Sequence, residues 1–174
     1  MASTPQPKSG REGEAQGDHA VLSLQEISDR LEIQDLLARY SHAIDRRDFA
    51  ALDRVFTPDA HIDYSAMGGG KGDLPYIKAY LAAALKQFSG FQHLVATTEL
   101  AIHGDTAHAR TICHNPMIWH DGGKDHVFFC GLWYRDKMVR TPHGWRISER
   151  VEESSYFYNV PAHFTPIAVD LPAD

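Results

Sequence analysis

The chain has 174 residues, 43% of them hydrophobic and 23% charged, the proportions of one globular domain with a full core. A formal charge of −6 argues against nucleic acid as a partner, because phosphate-backbone binding needs a clustered positive surface. No apolar run reaches the length of a membrane span and no signal core is present, while Cys113 and Cys130 fit buried free thiols in a reducing, cytoplasmic setting.

Residues 1–20 are rich in Ser, Pro, Gly, Lys and Glu without apolar periodicity, a composition expected to form a disordered leader. Ser23 and Glu26 have the spacing of a capping box, so a helix is expected to start there. Ile27, Leu31, Leu37, Tyr40 and Ile44 recur at helical spacing, with Ile33 and Leu36 widening the stripe. Asp29, Arg30, Glu32, Asp35 and Arg39 are expected on its solvated face. The helix runs out near Asp45. Asp48 can cap a short second helix with Phe49, Leu52, Val55 and Phe56 facing inward, and Thr57-Pro58-Asp59 breaks it. A short strand over His61–Tyr64, a flexible loop around Gly68–Gly70 and Gly72, and a helix from Pro75 to Phe88 are expected next.

From Phe91 the periodicity changes to two. Segments Phe91–His103, Ala107–His120, His126–Val139 and Trp145–Tyr158 read as strands, separated by turn signals at Gly104-Asp105, Asp121–Asp125 and Pro142–Gly144. Long segments joined by tight turns predict an antiparallel meander with helices on one face, an α+β domain over residues 21–160. Residues 161–174 read as a tail. Alternation puts Ala109, Thr111, Cys113, Asn115, Met117 and Trp119 on one strand face and His108, Arg110, Ile112, His114, Ile118 and His120 on the other. The first set makes the better pocket wall. Phe91, His93, Val95 and Thr97 fall together on the preceding strand, so His93 can point inward.

An imidazole is a competent base near neutral pH, and a carboxylate beside it fixes its tautomer. Asp45 and His93 supply those parts. A lone inward histidine is also a common core residue, and Asp45 can equally pair with Arg46 or Arg47. Tyr40 and Tyr64 are candidates for donating a hydrogen bond to a substrate oxygen. Asn115 is a polar group on the presumed pocket wall, with Phe56, Phe91, Met117 and Trp133 as apolar candidates for substrate contact. No His-x-His or His-Glu-x-x-His pattern occurs, so no metal site is expected.

Ile33-Gln-Asp-Leu-Leu-Ala-Arg-Tyr40, Ala43-Ile-Asp45, Phe56-Thr-Pro-Asp-Ala60, Ile62-Asp-Tyr64 and Phe91-Gln-His93 together resemble the SnoaL-like proteins. These belong to the nuclear transport factor two-like superfamily, with scytalone dehydratase, bile-acid 7α-dehydratase and lindane dehydrochlorinase as relatives. The resemblance implies a cone-shaped, curved antiparallel sheet around an apolar pocket, closed by about three helices, and a homodimer through the sheet's outer face. It implies that Asp45 and His93 form an acid–base dyad, with Tyr40 and Tyr64 matching catalytic tyrosines in different relatives. It implies no cofactor. The pattern departs from those relatives where Met117 stands in place of a second catalytic histidine, where Ile44 replaces a tyrosine, and where a late arginine falls near Ser154. Arg150 could serve that role only in a different register. The function implied is a cofactor-free lyase or isomerase, of dehydratase, cyclase or elimination type, on a small apolar ring compound such as a polyketide, terpenoid or steroid-like molecule. The rival is a small-molecule-binding module on the same fold without chemistry.

Overall fold

The computed structural model describes residues 21–164; the leader expected at 1–20, and residues 165–174 of the tail expected at 161–174, lie outside the described residues. Helix α1 (Leu24–Asp45) starts where the capping signal puts it, Ser23 Oγ accepting the Glu26 N–H at 3.1 Å. Its buried stripe holds Ile33, Leu36, Leu37, Tyr40, Ala43 and Ile44. The expected faces need correction in the first turns. Leu31 is 58% exposed, whereas Asp29, expected in solvent, is 3% exposed.

The cause is a distant partner. Arg140 donates to both Asp29 oxygens at 2.6 and 2.7 Å, and Trp145 Nε1 adds a bond at 3.2 Å. The Arg140 hydrogen bonds hold the Asp29 carboxyl down at about 2. A depressed carboxyl gives stability above its ordinary range and loses it as pH falls through the folded value. Asp29→Ala is therefore expected to cost roughly 2–3 kcal/mol at pH 7. The cost should shrink toward pH 2; urea midpoints at the two pH values check this.

After α1 come a short 3₁₀ helix (Phe49–Arg54), strand β1 (Phe56–Asp63), a 3₁₀ turn (Ser65–Met67) and strand β2 (Lys71–Asp73). Helix α2 (Leu74–Ala84), a 3₁₀ turn (Leu85–Gln87) and strands β3 (Phe88–Phe91), β4 (Leu94–His103), β5 (Thr106–Asp121), β6 (Lys124–Thr141) and β7 (Gly144–Tyr158) follow. The short helix ends at Arg54, before Thr57-Pro58-Asp59, and Phe56 already opens β1; the expected breaker lies inside that strand, where the register against β7 shifts between Phe56 and His61. The second helix is shorter than expected because Phe88 leaves it to pair with Trp119.

The strands form one sheet in the order β2-β1-β7-β6-β5-β3, with β4 also on β5. β1 runs parallel to β7, so the sheet is mixed rather than a purely antiparallel meander. The fold is α+β: a large, curved, unclosed sheet with the helices covering its concave face. The core lies between them, and on β5 it takes Ala107, Ala109, Thr111, Cys113, Asn115 and Met117, the face that alternation selects. No helix among the described residues is long and apolar enough to cross a membrane.

Candidate active site

The site grows from two interruptions of regular structure. The first is the end of α1. Arg47 takes a left-handed conformation (φ 58°), and the Asp48 N–H returns to Ala43 O at 2.9 Å, so the helix stops and leaves Asp45 as its last residue. A carboxylate is disfavoured at a helix C-terminus by the backbone dipole. Its retention there calls for a partner.

The second interruption supplies one. The strand expected from Phe91 to His103 is split, β3 ending at Phe91 and β4 starting at Leu94. Opposite the gap lies Pro116, whose carbonyl accepts the Gln92 N–H at 3.2 Å. In a strand the N–H and C=O of one residue point to the same side, so the donor that proline lacks is missing from this edge. His93, released from the ladder, gives its backbone N–H to both Asp45 oxygens at 3.1 Å. Its ring Nδ1 lies 2.7 Å from Asp45 Oδ1.

His93 Nε2 faces the cavity beside Asn115. Asn115 is best satisfied with Nδ2 donating to Gln92 O and Pro116 O at 3.1 and 3.2 Å, and Oδ1 receiving Nε2–H at 3.1 Å. Both ring nitrogens then meet acceptors, the pattern of an imidazolium. Turned the other way, the amide donates to Nε2 at the same separation, which suits the neutral ring with its proton on Nδ1. Asn115 can thus partner His93 in either protonation state.

Tyr40 and Tyr64 are buried, with hydroxyls 2.9 Å apart. Burial raises both phenols, Tyr64 well above its ordinary value, so both stay protonated. One proton serves the Tyr–Tyr bond and the other is free for a ligand oxygen. Gly69 packs against Tyr64 so closely that a Cβ would lie 2.6 Å from the tyrosine's own Cβ. The glycine-rich segment is therefore a fitted part of the cavity rim rather than the flexible loop expected.

Tyr40, Tyr64, His93, Asn115 and Met117 line one largely apolar cavity of about 160 Å³, with Tyr80, Phe128, Phe157 and Phe164 completing much of the wall. Tyr40 and Asp45 lie far apart around the helix, yet both serve this site, because Asp45 acts through His93 and does not itself line the cavity. Three expected contacts are corrected. Phe56 stands behind Tyr40, edge to face at 6.0 Å, and Phe91 stands behind His93 at 6.0 Å. Trp133 lies on the outer face under the Arg110 guanidinium, since Leu132 and Tyr134 take the inward positions of β6.

Two residues stand outside simple alternation: Glu152, which the sequence reading does not reach, and Arg150, which it admits only in a different register. Counting by twos from Trp145 and Ile147 sends Arg150 and Glu152 outward. The register against β6 shifts there, Met138 pairing with Ile147 and Lys137 with Glu149, and the bulge at Ser148 turns both residues inward. Arg150 is fully buried, bonded to both Asp136 oxygens at 2.7 Å and held between the Tyr40 and Tyr134 rings at 4.0 and 4.1 Å. Glu152 lines the cavity, and burial pushes its carboxyl up to about 8 against the opposing pull of Arg150.

Cys130 lines the cavity and Cys113 lies beneath it; burial pushes both thiols up to about 12, which disfavours a thiolate nucleophile. Away from the dyad, Asp121, His126 and His163 bring potential ligand atoms within 4.8 Å of one another, His163 joining the other two from a distant part of the chain.

The model of the SnoaL-like domain matches residues 25–151. An uncharacterized protein of Mycobacterium tuberculosis is 53% identical over 139 residues, 80% of this chain and 94% of its own. Among solved structures, the Kfla4162 protein of Kribbella flavida is 27% identical with a TM-score of 0.70, covering 77% of this chain and 95% of that one. Hexachlorocyclohexane dehydrochlorinase LinA-type3 of Novosphingobium barchaimii shares the fold at 20% identity and a TM-score of 0.68, over 83% and 99% of the two chains. On the match across residues 25–151 and the close mycobacterial relative, the chain belongs to the SnoaL-like domain family.

Proposed function

We propose that this protein is a cofactor-independent lyase or isomerase acting on a small, largely apolar ring compound by general acid–base catalysis. The observation that carries the reading is the Asp45–His93 pair, with Nδ1 2.7 Å from the carboxylate and His93 in the wall of the cavity that also holds Tyr40 and Tyr64. A cavity of about 160 Å³ suits a single ring, since an apolar cavity of ~150 Å³ takes up benzene. In this mechanism neutral His93 removes a proton next to a carbonyl or leaving group through Nε2, and Asp45 stabilises the imidazolium. Asn115 turns its amide oxygen to the new N–H, and the tyrosine pair donates to the oxygen on which charge develops. Scytalone-dehydratase-like and dehydrochlorinase neighbours on this fold make an elimination-type reaction the natural class. A homodimer through the outer sheet face belongs to the same proposal; Ile112 is 42% exposed and Tyr156 48% exposed there.

The test is turnover on a panel of single-ring hydroxy-ketones, epoxides and polyketide-like rings. Asp45→Asn and His93→Ala should each lower the rate about 10²–10⁴-fold, with folding and ligand binding retained. Unchanged turnover in either variant would refute the dyad mechanism. Tight binding with no turnover by the wild type would favour a binding module.

A further inference from the structure

Glu152 has no role in the mechanism above, yet it stands in the same cavity wall as His93, Tyr40 and Tyr64. The bulge at Ser148 sets it there. No cation is bonded to it among the described residues, and the pull of Arg150 does not offset its burial. Arg150, two residues earlier, is already committed to Asp136 through Nε and Nη2, and its Nη1 has no hydrogen-bond partner among the described residues. Asp45 already places one carboxylate against the neutral His93 ring that the mechanism requires. An ionised Glu152 would add a second negative charge to the site, and the field of Asp63 acts in the same direction. Burial without a paired cation favours the neutral carboxyl. A neutral carboxyl is a proton donor.

We propose that Glu152 is the general acid of this site, giving its proton to a leaving oxygen, and that the substrate class is therefore a β-hydroxy carbonyl compound that loses water. This rests on the dyad reading and deepens it. His93 Nε2 takes the proton from the carbon next to the carbonyl, and that electron pair becomes the new carbon–carbon double bond. The β-carbon–oxygen bond breaks as Glu152 O–H protonates the oxygen, so the products are an enone and water. Glu152 is left as carboxylate and His93 as imidazolium; proton return from the second to the first resets the site. A pair of titratable groups held in opposite states by their surroundings is the arrangement that acid and base roles require.

The leaving group is the lever for the test, because hydroxide needs a proton to depart and acetate does not. 3-Hydroxycyclohexanone and 3-acetoxycyclohexanone give the same enone, whose ultraviolet absorbance follows both reactions. In Glu152→Gln the preference for acetate over hydroxide loss should rise about 10²-fold. Asp45→Asn should slow both compounds alike. The wild type should lose its rate on the hydroxy compound as pH rises through about 8, and keep it on the acetate. An unchanged preference in Glu152→Gln, or wild-type turnover of the acetate alone, would overturn the acid role and leave the dyad standing. Elimination from neither compound would overturn both.

Discussion

Replacing Asp136 with alanine is expected to cost about 3–5 kcal/mol of folding free energy. Asp136 and Arg150 have fully buried side chains joined by two bonds of 2.7 Å. A guanidinium cannot shed its proton to escape burial, so the variant must hold an uncompensated charge or open the core to water. The cost should reach the site, because the Arg150 guanidinium packs against the ring of Tyr40, whose hydroxyl meets Tyr64. Removing both charges together, as Asp136→Leu with Arg150→Met, should recover most of the loss. Denaturant midpoints of the three proteins decide it. A loss under about 1 kcal/mol in Asp136→Ala, the size of an exposed pair, would show that the charge is not confined.

Much of the site could be read from the sequence because its signals are local. The end of α1 is written in the change of pattern at Asp45, and the β5 wall follows from simple alternation, as Asn115 and Met117 confirm. What escaped depends on events that alternation cannot register. Ser148 carries no mark of a bulge, yet it reverses the faces of Arg150 and Glu152. Pro116 is visible in the sequence, but its effect falls on a different strand, where it frees His93. Thr97, grouped inward by parity, is an exposed residue at φ 46° where the β4 register shifts. Asp29 looks like a solvated helix residue until Arg140 arrives from 111 positions away. The parallel pairing of β1 with β7 is also long-range, and no turn signal announces it. Two of these features, the Ser148 bulge and Pro116, act on cavity residues, Glu152 and His93, where local rules give way to the site.

Glu152 gives the other large expected effect, on stability as a function of pH. Its carboxyl is raised from an ordinary 4.5 to about 8 in the folded protein. Between those values the folded state holds one proton more than the unfolded chain. Unfolding stability therefore falls as pH rises through the window, by up to ~1.4 kcal/mol per pH unit. Below the window the group is protonated in both states and contributes nothing to the pH dependence. Above it the full cost is present, roughly 2–4 kcal/mol once water reaching the cavity is allowed for. Glu152→Gln cannot ionise and should escape that decline. The variant should gain on the wild type from about pH 5 upward, with the difference levelling off above about 8. Urea unfolding across this range measures it directly. Parallel curves for the two proteins would mean that Glu152 ionises freely in the fold, and a carboxylate already ionised near neutral pH could not act as the acid. A growing gap would show a side chain kept in the cavity wall at a cost in stability, as expected when a residue serves the chemistry rather than the fold.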